Sequence, residues 1–302
     1  MKARSLTYSL FISSLILFGT NGVVADGISL PSTQTVVFRT FFGGILLTAV
    51  FLLAGGRYRM PAQKTQMLYL LISGVSMGIS WILLYEAYAE VGVGISSMAY
   101  YCGPAAVMVL SPFVFGEKLS ARGMLGFVAV MAGAVMMCAE AVGDGGNLKG
   151  YLLGFASAAA HAAMVIFSKL AKDIDGLENS SLQLLFAFAA VSAYAAAVSE
   201  IPSDVPAGDW PYILLLGFAN TGIGCFLYFS TIVKLSAQTV SVAGYLEPLS
   251  AVVFSALLLG ETMTGLQILG AAMIISGAVY AETRRSDGGR FFRTRVRRTH
   301  NR

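Results

Sequence analysis

Charged residues are scarce in this sequence: only 12% of its 302 residues are Asp, Glu, Lys or Arg, about half the share found in an ordinary soluble domain. Apolar residue types make up 56% of the chain, and the mean hydropathy is +0.73. So few charges cannot cover the surface of a soluble protein of this length, which excludes a soluble globular fold. The apolar residues form runs of roughly 20, each long enough as a helix to cross a hydrocarbon core about 30 Å thick.

Histidine and cysteine are also rare, with two and three residues respectively. The sequence contains no His-Glu-x-x-His motif, no zinc-type cysteine spacing and no Walker motif. Cys102, Cys138 and Cys225 all lie inside apolar runs, so we expect no disulfide framework. These absences argue against a membrane hydrolase and against an ATP-driven pump. We therefore expect no enzymatic activity, no metal and no cofactor.

The apolar runs predict an all-α polytopic membrane protein with ten transmembrane helices. An alternative interpretation of the first run is a secretory signal sequence, because basic residues precede it and small residues follow it. Its length exceeds the usual signal core of roughly 7–15 residues, which favours a helix that stays in the membrane. The predicted spans are residues 6–25, 34–54, 67–89, 94–115, 121–141, 150–170, 180–200, 211–232, 237–259 and 264–282.

The positions of the basic residues predict the orientation. If the N-terminus is cytoplasmic, eighteen of the twenty Lys and Arg residues fall on the cytoplasmic side, and only Lys149 falls in an external loop. By the positive-inside rule we expect a multi-pass protein of the cell membrane with both termini in the cytoplasm. Eight of the basic residues lie in the tail, residues 283–302. We expect this tail to meet lipid headgroups of the bilayer and expect no nucleic-acid partner.

The sequence also repeats itself. Because the repeat has five spans, an odd number, the second copy starts from the opposite side of the membrane, which predicts two inverted five-helix repeats. The predicted organisation is a first repeat at 1–141, a loop at 142–149, a second repeat at 150–282 and the tail at 283–302. A shift of 144 residues lays Gly116-Glu117 on Gly260-Glu261, Gly126 on Gly270, and Gly133 on Gly277.

Spans four and nine carry the same polar and aromatic residues on one helical face. Two interpretations stay open: the face lines a cavity, or it only allows two helices to pack closely. We favour the cavity, because tyrosine and serine hydroxyls are costly to expose to lipid. The 144-residue shift pairs Ser97, Tyr101, Pro104 and Ser111 with Ser241, Tyr245, Pro248 and Ser255.

Two ionisable residues inside predicted spans are candidates for function. Glu247 is the deepest carboxylate, about ten residues from either end of its predicted helix, and charged groups at such depth are costly. It serves either in proton coupling or as a counter-ion for a cationic substrate, unless it only bonds a neighbouring helix. His161 is the only histidine in a predicted span, and it either shuttles a proton or packs through a hydrogen bond.

An aromatic stripe on span three adds further candidates. Trp81, Tyr85 and Tyr88 either anchor this helix at the membrane interface or contribute to an aromatic cage for an ammonium group. The other rings of such a cage would be Tyr100, Tyr101, Tyr228 and Tyr245. Arg39 is expected to reach the outer headgroups or to pair with an acid such as Glu86. Glu117 and Glu261 lie at helix-loop junctions and are each expected to cap a helix or to form a salt bridge with a loop. The predicted substrate-binding residues are Glu247, Tyr101, Tyr245, His161, Trp81, Tyr85, Asn21, Ser97 and Ser241, of which Glu247 and His161 are also the predicted coupling residues.

With these features the chain resembles the EamA branch of the drug/metabolite transporter superfamily. The resemblance is carried by the two helix-loop-helix segments from Pro104 to Gly133 and from Glu247 to Gly277, together with Phe18-Gly19-Thr20-Asn21 and Arg39. It implies ten helices around a central cavity, secondary-active transport of small organic solutes and frequent homodimerisation. The chain departs from the common pattern by having Phe18 where many members have Trp, and Gly103 where its own second half has Glu247.

The expected function is therefore secondary-active transport of a small organic metabolite by alternating access. The deep carboxylate and the aromatic residues indicate an amino-acid-like or amine-containing substrate, and the resemblance implies export. A passive channel for small solutes and a non-transporting membrane scaffold are the alternative functions.

Overall fold

The structure is a computed structural model, and it describes residues 2–58, 64–115, 121–143, 147–171, 174, 176–201, 204–232 and 244–282. Within these ranges the chain forms helices and short connections, with no β-strand. The helices before residue 144 are α1 (Lys2–Gly19), α2 (Asn21–Asp26), α3 (Ser32–Leu53), α4 (Lys64–Val91), α5 (Val93–Tyr100), α6 (Cys102–Phe115) and α7 (Ala121–Gly143).

The helices after residue 147 are α8 (Leu148–Leu170), α9 (Gly176–Ala197), α10 (Trp210–Leu214), α11 (Gly224–Ile232), α12 (Leu246–Phe254) and α13 (Gly265–Glu282). Two π-helical segments interrupt this part of the chain. The first, π1 (Leu215–Ile223), joins α10 to α11, and the second, π2 (Ser255–Leu259), continues α12. Such wide turns occur often at functional sites.

Among the described residues, six apolar helical segments are long enough to cross a membrane: Leu6–Asp26, Ser32–Leu53, Lys64–Val91, Leu148–Leu170, Gly176–Ala197 and Trp210–Tyr228. Three shorter apolar helices, Ala121–Met136, Leu246–Leu259 and Gly265–Gly277, lie within other predicted spans. The chain is thus an all-helical, multi-pass membrane protein. The total of ten spans and their inverted arrangement stay predictions. The N-terminal helix α1 packs against α11 and α12.

A reciprocal pair of serines lies where α4 packs along α8. The hydroxyl of Ser80 donates to the carbonyl oxygen of Ser157 at 2.9 Å, and the hydroxyl of Ser157 donates to the carbonyl oxygen of Ser80 at 2.7 Å. Both side chains are fully buried. Small hydroxyl residues let two backbones approach closely while satisfying their own polar groups, which stabilises helix contacts in an apolar medium.

Glycines form the crossing of α7 and α13. A Cβ atom at Gly133 would lie 2.5 Å from the carbonyl oxygen of Gly270, and a Cβ atom at Gly277 would lie 2.8 Å from that of Gly126. These distances are too short for any side chain, so only glycine permits this approach of the two backbones. The four glycines are the same ones that the 144-residue shift pairs.

The predicted spans four and nine are not continuous helices in the described residues. Span four breaks at Tyr101, between α5 and α6, and the α12 helix begins directly after Tyr245. The cause is proline at positions 104 and 248, because proline cannot donate to the carbonyl four residues earlier and its ring clashes there. Glu247 therefore lies in the first turn of α12, where a carboxylate is favoured by the helix dipole, and not in mid-helix as predicted.

The remaining contacts surround the centre of the bundle. Helix α3 packs against α9 and π1, α4 also packs against α9, α6 packs against α8, and α5 packs against α12. This arrangement leaves a space between α1–α2, α3, α4, α5–α6 and α12.

Candidate functional site

The central space is a small cavity, in which about 380 Å³ is free of protein atoms when the solvent at its open side is included. Its wall combines aromatic rings with one cation and one carboxyl group, so a small polar molecule fits its chemistry. The lining residues are Phe18, Asn21, Arg39, Trp81, Leu84, Tyr85, Tyr88, Ser97, Tyr100, Tyr101, Glu247, Pro248 and Ala251.

Arg39 is buried in the wall of this cavity, with 2% of its surface exposed. Its Nη1 atom donates a hydrogen bond to the hydroxyl of Tyr85 at 2.6 Å, and its Nε atom donates one to the hydroxyl of Thr221 at 3.1 Å. The side chain thus neither reaches the outer headgroups nor pairs with Glu86, because α3 packs against α4 and π1 and points it inward. Among the described residues, no carboxylate oxygen lies within 4.0 Å of this guanidinium.

Trp81 and Tyr85 contact the guanidinium of Arg39, a cation of the protein and not of a substrate. The guanidinium carbon of Arg39 lies 4.0 Å from the centre of the Trp81 ring and 5.2 Å from the centre of the Tyr85 ring. Ring faces stabilise a desolvated cation in this geometry. These two rings therefore hold Arg39 in place, and an aromatic cage for a substrate ammonium would have to be formed by other rings.

Glu247 faces the cavity from the first turn of α12. Tyr101, at the break between α5 and α6, lines the same cavity. Tyr245 is not among the lining residues: it is buried, and its ring packs against that of Tyr101 with 6.1 Å between the ring centres. The carboxyl group is thus held at the end of a short helix, beside a tyrosine of the other half.

Asn21 lines the cavity at the start of α2, and Ser97 lines it from within α5. Asn21 accepts a hydrogen bond of 3.0 Å from the side-chain amide of Asn220 in π1, which also donates to the carbonyl oxygen of Leu17 and the hydroxyl of Thr20. Asn220 thereby satisfies the backbone at the break between α1 and α2. Tyr88 of α4 lines the same cavity as Ser97. Ser241 lies outside the described residues.

His161 lies behind the cavity wall. Its Nδ1 atom is 2.5 Å from the hydroxyl of Tyr100, which does line the cavity. A Cβ atom added to Gly103 would lie 3.2 Å from the His161 ring and 2.9 Å from the carbonyl oxygen of Ala158. His161 therefore reaches the cavity only through Tyr100, and Gly103 makes room for it.

Glu261 caps α5, which is one of the two roles expected from the sequence. Its two carboxylate oxygens accept hydrogen bonds from the backbone N–H groups of Val93 at 2.7 Å and Gly94 at 2.9 Å. Gly92 precedes them with φ of +80°, a conformation that glycine adopts without strain. This cap fixes the start of the helix that carries Ser97 and Tyr100. Glu117, its counterpart in the repeat, lies outside the described residues.

Arg39 was absent from the predicted substrate-binding residues, and Tyr88 and Tyr100 were considered only as rings of an aromatic cage. The signal for Arg39 was present, because an arginine inside an apolar segment is costly and functional by default. The role of Thr221 had no such signal, since nothing in the sequence predicts the π-helix that carries it. Within the described ranges, no group of three His, Cys, Asp or Glu side chains could hold a metal ion.

Two relatives are similar over most of their length. An uncharacterised transporter of Bacillus subtilis (strain 168), YxxF, is 24% identical over 296 residues, which cover 94% of this chain and 92% of the relative. The threonine/homoserine exporter RhtA of Salmonella typhimurium (strain SL1344) is 29% identical over 252 residues, which cover 80% and 78% respectively.

A protein solved by crystallography has the same fold: the TM-score is 0.66 with 18% sequence identity, over 91% of this chain and 96% of that one. The sequence model of the EamA-like transporter family matches the chain twice, at residues 5–139 and 148–282. Together these matches cover nearly all of the chain up to the basic tail. This protein therefore belongs to the EamA-like transporter family.

Proposed function

We propose that this protein is a secondary-active transporter that exports small organic metabolites of amino-acid-like or amine-containing type by alternating access. The observation that carries the proposal is the central cavity, which Glu247 and Arg39 both line inside a bundle of apolar helices. Ionisable groups at membrane depth mark substrate and ion pathways, because burying them without a function is costly. The amino-acid class is supported by the name of the relative RhtA, a threonine/homoserine exporter.

Alternating access requires two arrangements of nearly equal energy, which inverted repeats provide. The double match of the family model supports a repeat, and so does the packing. Exchanging the two halves replaces α8 with α1, α9 with α3, π1–α11 with α4, α12 with α5–α6, and α13 with α7. The packing of α4 on α8 then becomes that of α11 on α1, and the packing of α3 on π1 becomes that of α9 on α4. All four contacts are present.

Glu247 is the proposed coupling residue. A carboxyl group that faces a cavity can release a proton when a substrate ammonium approaches and take it back when the ammonium leaves, which exchanges substrate for proton. His161 is placed to influence this step only through Tyr100, with which it shares a hydrogen bond. We propose that Glu247 carries the coupling and that His161 positions Tyr100.

Gradient-driven flux tests the proposal. The purified full chain is reconstituted in liposomes loaded with the twenty amino acids and a set of simple amines, and the released solutes are identified by mass spectrometry. We expect release of specific solutes that accelerates when a proton gradient or a gradient of the same solute is imposed. Solute flux that responds to neither gradient would contradict secondary-active transport.

A matched pair of variants locates the coupling. Glu247→Gln removes the carboxylate from the cavity with little change of volume, and we expect it to abolish the response to the proton gradient. Glu90→Gln makes the same chemical change at the exposed end of α4, where Glu90 pairs with Lys149, and we expect flux to be retained. Unchanged gradient-driven flux in Glu247→Gln would remove this residue from the mechanism.

Orientation is part of the proposal. We infer that both termini lie in the cytoplasm of the cell and that the protein resides in its cell membrane, because eighteen of the twenty basic residues then face inward. A reporter that is active only in the cytoplasm, fused after residue 302, should be active. The same reporter inserted in the loop 198–209 should be inactive. The reversed result would contradict this orientation.

A further inference from the structure

We infer that the cavity binds α-amino acids as zwitterions, with Arg39 as the anchor for the carboxylate and Glu247 as the partner of the ammonium group. The inference deepens the proposed function and rests on it, since it names the substrate class of the same cavity. It is carried by the two groups of opposite charge that line the cavity.

Arg39 has hydrogen-bond donors that the described part of the protein does not use. A guanidinium has five N–H donors, and two of them are used, by Tyr85 and Thr221. The remaining donors have no hydrogen-bond partner among the described residues. A buried cation without an anion is costly, and ring faces offset that cost only in part. The guanidinium therefore lacks an anion in direct contact with it among the described residues, and a bound carboxylate would supply one.

The orientation of the Arg39 guanidinium is fixed by its neighbours. Trp81 lies against the guanidinium at 4.0 Å, while Tyr85 and Thr221 bond two of its nitrogens. These contacts fix the plane of the group before any ligand binds. A preorganised guanidinium plane matches the two oxygens of a carboxylate, which it can bind through two parallel hydrogen bonds. The arrangement favours a carboxylate over a single hydroxyl or carbonyl oxygen.

Glu247 provides the negative charge on the opposite side of the proposed site. Glu247 lines the same cavity but does not form an ion pair with Arg39, since no oxygen of a described carboxylate lies within 4.0 Å of the guanidinium. Arg39 and Glu247 can therefore each bind a charged group of a ligand. A molecule with one negative and one positive group, a short distance apart, satisfies both poles at once. A simple amine or a simple carboxylic acid satisfies only one.

Binding to the unmodified protein tests the inference directly. Thermal stabilisation and the dissociation constant are measured with the twenty amino acids. For each amino acid that binds, two analogues follow: the amino alcohol, in which CH2OH replaces the carboxylate, and the acid that lacks the amine. We expect both analogues to bind about tenfold or more weakly, because each leaves one buried charge without its partner. Equal binding of the amino alcohols, or no binding by any of the twenty amino acids, overturns the inference.

The variant Arg39→Lys separates an anchor from a structural residue. Lysine keeps the charge but loses the planar pair of donors. We expect the affinity for the amino acid to fall about tenfold or more while the affinity for its amino alcohol stays unchanged. If both affinities fall equally, or neither does, Arg39 is not the carboxylate anchor. Lys149→Gln, at an exposed site away from the cavity, is the control and should leave both affinities unchanged.

The two proposals fail in different ways. Gradient-driven flux of amines without binding of amino acids would keep secondary-active transport and overturn the zwitterion site. Amino-acid binding with the expected selectivity, but without flux in liposomes, would keep the site and contradict transport.

Discussion

The crossing of α7 and α13 and the wall of the central cavity use positions 144 residues apart in opposite ways. At the crossing, both copies of each position are glycine, and each glycine packs against the backbone of the other half. At the cavity, Glu247 of the second half lines the wall, whereas its counterpart in the first half, Gly103, does not. Gly103 packs on the carbonyl of Ala158 and beside His161, whereas Glu247 faces the cavity.

This difference separates the demands of packing from those of binding. Two helices that cross closely need small residues on both sides of the contact, so both copies keep the same residue. A binding site for one molecule needs each charge once, and a second carboxylate in a cavity of this size would repel the first. Close helix packing therefore keeps equivalent residues of the two halves identical, whereas the binding site requires them to differ.

The largest effect is expected where both halves depend on glycine. Gly133→Ala and Gly277→Ala each add a Cβ atom 2.5 Å and 2.8 Å from a backbone oxygen. The helices must move apart, which we expect to cost about 1–3 kcal/mol of unfolding free energy in each variant. Thermal unfolding of the purified protein measures this cost.

Gly265→Ala is the matched control for these glycines. It lies on the same helix, α13, and a Cβ atom there meets nothing within 4 Å. We expect it to be neutral or to raise stability by up to about 1 kcal/mol, since alanine favours helix more than glycine does. If Gly133→Ala and Gly277→Ala also behave in this way, the crossing does not depend on close backbone contact.

An intermediate effect is expected at the caps. Glu261→Gln leaves one acceptor oxygen for two backbone donors, those of Val93 and Gly94, and removes a negative charge from a helix N-terminus. We expect a loss of about 1 kcal/mol of unfolding free energy. Glu117→Gln makes the equivalent change in the other half. If both variants lower the melting temperature equally, the two halves use the same helix cap. If Glu117→Gln has no effect, the two halves share the glycine crossing but not the cap.

The smallest effect is expected at the exposed pair of Glu90 and Lys149, which joins α4 to the start of α8 at 2.5 Å. Ion pairs in contact with solvent contribute little and are screened by salt. We expect the melting temperature of Lys149→Gln to stay within error of the unmodified protein at 0.5 M salt (about 4 Å of screening length). A shift as large as that of Glu261→Gln would show that this contact is a structural part of the interface.

The sequence predicts those features that depend on short, local patterns. The membrane helices follow from apolar runs, and the cap by Glu261 is one of two roles expected from its place at a helix-loop junction. The repeat shows that the glycines of the crossing occupy equivalent positions, but not that their helices pack together. The breaks at Tyr101 and before Leu246 were missed, although the two prolines that cause them are visible in the sequence.

The environment of Arg39 could not be predicted. Its partners Tyr85 and Thr221 lie 46 and 182 positions away in the chain, and only the packing of α3 on α4 and π1 brings them together. Binding to Thr221 further depends on a π-helical turn, which has no known local sequence signature. The sequence therefore showed that a cation lies within an apolar segment, but not that aromatic rings hold it at the cavity.

The contact of Trp81 with Arg39 also makes the cavity visible by spectroscopy. The chain has two tryptophans, Trp81 in the cavity wall and Trp210, which is 38% exposed. Replacing Trp210 with Phe would leave one indole, and its fluorescence depends on the electric field of charges a few ångströms away. A ligand that neutralises the guanidinium would therefore change the emission of Trp81, so occupancy could be followed in real time without a label.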